Sequence, residues 1–266
     1  MHNRHIDHPG RGGKGLPALG AVSMQIVAIC SQKGGSGKTT LSGHLAVQAH
    51  LAGDGPIALV DCDPQGSLAA WWNARELPGP DFARTTLGSL EDDIAGLRSR
   101  GFRYLFVDTP PAASAAIARV MHFADLILVP TRPSPHDLRA VRATLDLAER
   151  AGRPLVFVVN GANARSRLTT DAAVALSQHG TVAPVLIAQK LIMASSMIDG
   201  RTVMETHPDS QSAQEIVTLW GYVRDRLVKI ANREAFLRRR VLSTGFGRRQ
   251  IEGEDALPAA ELGEMA

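Results

Sequence analysis

Thiols are nearly missing from this 266-residue chain: Cys30 and Cys62 are the only two, with no Cys-x-x-Cys and no thiol-rich zinc pattern. That argues against iron–sulfur chemistry and a structural zinc site. Each cysteine ends an apolar run, where a small thiol buried beside a sheet is expected. No stretch of about eighteen uninterrupted apolar residues occurs, so no transmembrane helix is expected. The N-terminus has basic and histidine residues but no apolar h-region, so it is not a secretory signal. A cytoplasmic protein is the expectation.

What is present suits one α/β domain with tails. Apolar residues make up 44% of the chain, enough for a sizeable core. Net charge is only +3 but uneven. Between Arg224 and Arg249 nine Arg or Lys face two acids, Asp225 and Glu234, whereas the tail after Ile251 holds five acids and no base. Such asymmetry suits an anionic partner for the basic stretch, or a solvated helix face.

Residues 1–23 are rich in Gly, His and Arg without periodicity and are expected to form a disordered arm, with Met24 a candidate natural start. His2, His5 and His8 there lack the helical support of a metal site. A single α/β domain is expected over 24–233, then a basic segment and acidic flexible tail over 234–266.

Within that domain, apolar runs at Ile26–Cys30, Ile57–Val60, Tyr104–Val107, Leu126–Val129 and Leu155–Val159 have no polar alternation, as parallel strands covered on both faces require. Helices are expected at Thr39–Leu51, at Leu90–Arg98 behind a Ser89-x-x-Asp92 capping box, at Pro135–Ala151 and at Thr169–Gln178, with a short strand at Pro184–Ile187. The last helix, Ser212–Arg233, carries an apolar stripe of Ala213, Ile216, Trp220, Val223, Leu227 and Ile230. The alternation predicts a doubly wound, mainly parallel sheet with helices on both faces.

Between the first strand and first helix lies Lys33-Gly34-Gly35-Ser36-Gly37-Lys38-Thr39-Thr40, a P-loop whose first glycine is replaced by Gln32. Backbone N–H groups of such a loop wrap phosphate oxygens, and the helix N-terminus adds a favourable field. Lys38 is placed to reach the β- and γ-phosphates of ATP, and the Thr39 hydroxyl to coordinate Mg²⁺. Asp61 and Asp63 end the second strand, and Asp108 ends the third as a Walker B carboxylate would. Carboxylates there can hold Mg²⁺ through water or orient an attacking water.

Further motifs make a family resemblance specific. Lys33, five residues before Lys38, marks a deviant Walker A loop. Asp61-x-Asp63-Pro-Gln65-Gly-Ser67 with Trp72 downstream, Val129-Pro-Thr-Arg-Pro-Ser-Pro-His-Asp137 and Asp199-Gly-Arg-Thr-Val-Met-Glu205 extend the match. Over roughly residues 24–232 the chain resembles the ParA family of DNA-partition ATPases, especially short ParF-like members. That resemblance implies an ATP-dependent sandwich homodimer in which Lys33 reaches the partner's nucleotide. It also implies that Asp63 positions water, that Asp61 and Asp108 belong to the Mg²⁺ shell, and that Asn160 contacts adenine.

The family's non-specific DNA binding makes Lys190 the first candidate phosphate contact, followed by Arg165, Arg167, Arg201, Arg224 and Lys229. Gln211 departs from the pattern, since many relatives carry a base there. The expected role is segregation of plasmid or chromosomal DNA with a ParB-like or small centromere-binding adaptor, on the nucleoid. Positioning of a protein cargo uses the same machinery. A MinD-like membrane role would rest on Ala235–Leu242, too short a segment to favour it. Metabolic enzymes and tyrosine kinases on this fold fit less well, given the missing cluster cysteines and just two tyrosines, Tyr104 and Tyr222.

Overall fold

The computed structural model describes residues 23–111 and 114–245. The arm, but for its last residue, and the acidic tail lie outside that range. One compact unit runs to Asp225 and a second begins at Arg226.

The first unit is built on strands β1 (Gln25–Ile29), β2 (Ile57–Asp61), β3 (Asp81–Phe82), β4 (Tyr104–Asp108), β5 (Leu126–Thr131), β6 (Leu155–Ala162), β7 (Thr181–Val182) and β8 (Ile187–Ala188). Their order is β3-β2-β4-β1-β5-β6-β7, with β8 also paired to β6, and every pairing is parallel. Strands β4 and β5 are buried at every position and β1 at all but its first. This is why the sequence shows runs rather than alternation.

Helices α1 (Lys38–Leu51), α2 (Ser67–Asn73), α3 (Leu90–Ser99), α4 (Ser114–Phe123), α5 (Pro135–Ala151), α6 (Arg167–Ser177), α7 (Leu191–Ser195) and α8 (Val203–Thr206) fill the connections. The doubly wound architecture is therefore as expected. Helix α5 shows how local chemistry sets bounds: the Ser134 hydroxyl accepts from the Asp137 N–H, proline opens the first turn, and left-handed Gly152 ends it. The capping box expected at Ser89 does not form. Ser89 has helical rather than extended backbone, and its hydroxyl pairs with Thr86 instead.

Helix α9 spans Gln211–Gly245, well past the expected end at Arg233. Good helix formers follow Arg233, and no glycine or proline intervenes before Gly245. Within the first unit its stripe is buried at Ala213, Ile216, Trp220 and Val223, joined by Leu219. Trp220 packs edge-on against Tyr104, and its indole N–H donates to Asp54 at 2.8 Å.

Candidate functional site

Parallel pairing brings three loops to one edge of the sheet. Ile29, the last residue before the glycine-rich turn, pairs with Asp108, and Asp108 pairs with Asp61 on its other side. The P-loop, the Asp108 carboxylate and the Asp61–Asp63 turn are thus neighbours by register, at the C-terminal strand ends where α/β sheets bind ligands.

Helix α1 starts at Lys38 with left-handed Gly37 as its N-cap and no side-chain cap. Its first N–H groups therefore have no side-chain partner, as an anion site requires. No atom lies within 4 Å of where side chains on Gly34 or Gly35 would begin, so the loop's inner face is open. Gly37 is glycine for two reasons: its φ of +98°, and the Asn160 amide, which would sit 2.1 Å from a Cβ there. That amide donates to the Ser36 carbonyl at 2.6 Å, tying β6 to the loop.

Lys38 is buried, and desolvation pushes its pKa down while Asp108 and Asp63 pull it back up. Asp108 is also buried; burial raises it to about 7 against the opposing hydrogen bond from Thr39. The Thr39 hydroxyl donates to Asp108 Oδ2 at 2.6 Å, while Asp108 Oδ1 and Ser36 Oγ have no partner among the described residues. A buried carboxylate oxygen with no donor, beside a threonine hydroxyl, fits a cation. Among the described residues no three His, Cys, Asp or Glu gather as a metal cage. This suits Mg²⁺, which completes its shell with phosphate and water rather than with an all-protein set.

Asp61 is more occupied than the sequence suggests. Its Oδ1 accepts from the Asp63 N–H at 2.9 Å, and its Oδ2 from Leu68 and Ala69, each at 3.0 Å. It therefore caps α2 and shapes the turn that carries Asp63. Burial nevertheless raises its pKa, the backbone donors and Asp63 counting for less. The Asp63 carboxylate accepts from the Gln65 N–H at 3.0 Å and is half-exposed. Lys33 is exposed, with its backbone N–H held by Ser31.

Beside the P-loop a cavity of about 410 Å³ is lined by Gly37, Thr40, Arg132, Asn160, Ile187 and Lys190, among others. The structure thus brings Asn160 and Lys190 to one cavity, although the sequence suggested adenine for one and DNA for the other. Lys190 donates to Gln211 at 2.9 Å, Gln211 to Glu215, and Glu215 accepts from the Ala188 N–H. The residue that departs from the family pattern is therefore the partner of Lys190.

The remaining DNA candidates divide by their partners. Arg201 pairs with Asp199 at 2.6 Å, Arg224 with Asp54 at 3.3 Å and Arg167 with Asp171 at 3.7 Å. Arg165 and Lys229 are exposed, Lys229 in the second unit. The Arg201 and Arg167 pairs are exposed and so weak, leaving these arginines able to exchange partners, whereas Asp54 is half-buried and also accepts from Trp220.

The segment Asp199–Glu205 proves to be a clamp whose other half the sequence conceals. Arg75 donates to both Glu205 carboxylate oxygens at 2.9 and 2.5 Å and to the Gly79 and Gly200 carbonyls. The two side chains are 2% and 8% exposed. Glu205 also closes a capping box with Thr202. The Trp71 indole donates to the Arg201 carbonyl at 3.0 Å. A Cβ on Gly200, at φ +79°, would lie 2.3 Å from the Arg75 backbone nitrogen. No local signal marks Arg75, whose partner is 130 residues away.

The chain matches the CobQ/CobB/MinD/ParA nucleotide binding domain over residues 27–219. It is 42% identical over 127 residues to the maintenance of carboxysome distribution protein A of Gloeobacter kilaueensis, covering 47% of this chain and 56% of that relative. To the protein of that name from Halothiobacillus neapolitanus it is 29% identical, covering 71% and 91%. To Protein ParA of Rhizobium radiobacter it is 30% identical, covering 66% and 84%. An ATP complex of Cyanothece McdA superposes with a TM-score of 0.64 at 16% identity, covering 77% of this chain and 96% of that one.

Proposed function

Because this chain belongs to the CobQ/CobB/MinD/ParA family of nucleotide-binding ATPases, and so uses ATP and Mg²⁺, we propose that it is an ATP-gated positioning protein that works on nucleoid DNA. The observation that carries this reading is the site edge: one register line holds the P-loop, Asp108 and the Asp61–Asp63 turn, with Lys33 exposed beside it. The P-loop amides and Lys38 would hold phosphates, Thr39 and Asp108 would hold Mg²⁺, and the metal would supply neutralisation of phosphate charge. Asp63, half-exposed where Asp108 is buried, orients the attacking water. Lys33 reaches a second copy's nucleotide, so the competent site needs an ATP-dependent homodimer.

Two variants separate these roles. Lys33→Ala is expected to stay an ATP-binding monomer that does not hydrolyse, whereas Asp63→Ala is expected to accumulate as an ATP-bound dimer. Light scattering with ATP and Mg²⁺ checks both; a Lys33→Ala protein that hydrolyses ATP normally removes the trans-lysine role.

Relatives named for carboxysome distribution favour a protein assembly as cargo. A segregation role is the second reading, favoured by the ParA relative. In either case a DNA-binding or cargo-bound adaptor of the ParB kind would stimulate hydrolysis. Among the described residues no helix is long and apolar enough to cross a membrane.

Non-specific DNA binding is testable by salt. Lys190, Arg165 and Lys229 have no recorded carboxylate partner among the described residues. If each protomer neutralises about three phosphates, the dimer's log affinity against log salt has a slope of about −5, at roughly −0.9 per phosphate. Fluorescence anisotropy on unrelated duplexes should show such binding with ATP and not with ADP. Lys190→Gln should flatten the slope by about two units per dimer. Strong preference for one sequence, or ATP-dependent binding to liposomes instead of DNA, overturns the proposal.

A further inference from the structure

His44 is fully buried on α1, and no part of the phosphate chemistry uses it. Its ring joins two elements. Nδ1 lies 2.8 Å from the Thr40 carbonyl, and Nε2 lies 3.2 Å from the Val203 N–H. Val203 opens α8, so its N–H has no intrahelical acceptor. A backbone N–H can only donate; Nε2 is therefore the bare acceptor, and Nδ1 carries the proton donated to Thr40. Burial keeps this ring neutral, pushing its pKa down to about 4.

The connection continues beyond Val203. The Thr202 N–H and hydroxyl donate to Glu205 at 2.8 and 2.9 Å, and Glu205 holds Arg75 just past the end of α2. The other end of α2 is held by Asp61, through Leu68 and Ala69. Asp63 lies in the turn between. Next to His44, a Cβ on Gly43 would meet Trp71 of α2 at 3.3 Å and Met197 at 3.1 Å, so α1 and α2 are in close contact there. Polar contacts, joined through the Thr202–Val203 peptide link and the backbone of α2, thus lead from the first turn of α1, which holds Thr39 and Thr40, to the turn that holds Asp63.

We propose that His44 is a positioning residue for hydrolysis: through α8, Glu205, Arg75 and α2 it sets the Asp63 turn relative to the P-loop. The proposal rests on the assignment of Asp63 to the attacking water. A buried histidine that merely satisfies two backbone groups would stabilise the fold without altering the chemical step. Misplacing a reacting group by about an ångström can cost on the order of a hundredfold in rate, so the two roles separate kinetically.

The test uses the full chain, single-turnover ATP hydrolysis and titration with a fluorescent ATP analogue, each below the variant's melting temperature. His44→Leu fills the space without polar atoms. It should keep ATP affinity within about threefold while hydrolysis slows about tenfold or more. His44→Gln can place an acceptor near the Nε2 position and should recover to within about threefold of the parent. His44→Asn reaches only the Nδ1 position and should stay slow; the Gln–Asn comparison decides if His44→Leu does not fold. A parental rate in His44→Leu, affinity and rate falling together, or Gln no faster than Asn overturns the proposal. An Asp63→Ala protein that hydrolyses at the parental rate defeats the underlying assignment instead, whatever the His44 series shows.

Discussion

Lys38→Ala should abolish tight ATP binding. The side chain is buried at the first residue of α1, and Asp108 and Asp63 both favour its charged form there. In the proposed site the ammonium would reach two phosphates, and hydrogen bonds to charged groups contribute about 1.5–3 kcal/mol each. Losing both weakens binding by about 3–6 kcal/mol, a few hundredfold or more. The buried Asp108 also loses its nearest recorded cation, which adds to the cost of bringing phosphates close. Titration with a fluorescent ATP analogue in Mg²⁺ measures the loss. Affinity within tenfold of the parent would mean that the loop amides hold the nucleotide without this lysine.

The largest effect on stability should come from Glu205→Ala. It leaves the Arg75 guanidinium buried against the Gly79 and Gly200 carbonyls with no counter-charge. Breaking a buried pair from one side costs about 3–5 kcal/mol. For a domain of this size the melting temperature should fall by on the order of ten degrees. Replacing both partners by apolar residues, Arg75→Met with Glu205→Leu, should recover part of the loss, because no charge is then left buried. Thermal unfolding measures both; a shift of a degree or two for Glu205→Ala refutes the clamp. The pH dependence has a definite sign. Burial raises the Glu205 pKa, but Arg75 and Thr202 outweigh it and hold the carboxyl below its ordinary 4.5. The unfolded chain therefore takes up the proton first, so the pair's contribution is complete above that value and fades as the pH falls beneath it.

What the sequence revealed and what it concealed follow from the range of the interactions. The P-loop was legible because its chemistry is consecutive: glycines, Lys38 and Thr39 lie on one short stretch between a strand and a helix. Strands β1, β2, β4, β5 and β6 were legible because burial on both faces leaves unbroken apolar runs. Helix α2 was not, since its seven residues start from a capping interaction with Asp61, set by tertiary structure rather than by a local cap. Helix α4 follows two prolines and has no acidic residue in its first turn. The two-residue β3 has no period to detect. Arg75 and His44 were missed for one reason: each gains its meaning from partners 130 and 159 residues away. The family resemblance placed Asp61 in the Mg²⁺ shell, and the sequence alone showed no capping role for it. Its three backbone donors appear only once the turn behind it is folded.

The strand order also bears on how the protein is made. The first strand completed among the described residues, β1, lies between β4 and β5, with Ile29 beside Asp108 on one side and Leu128 on the other. While the chain is being synthesised, β1 and its glycine turn must therefore wait for both neighbours. At about 5–20 residues per second that wait lasts several seconds. Through that interval an apolar strand is exposed on both edges, a form prone to mispairing and a natural client for a chaperone at the ribosome exit. Slowing translation between β1 and β4 should lengthen the exposure, whereas slowing it after β5 should not.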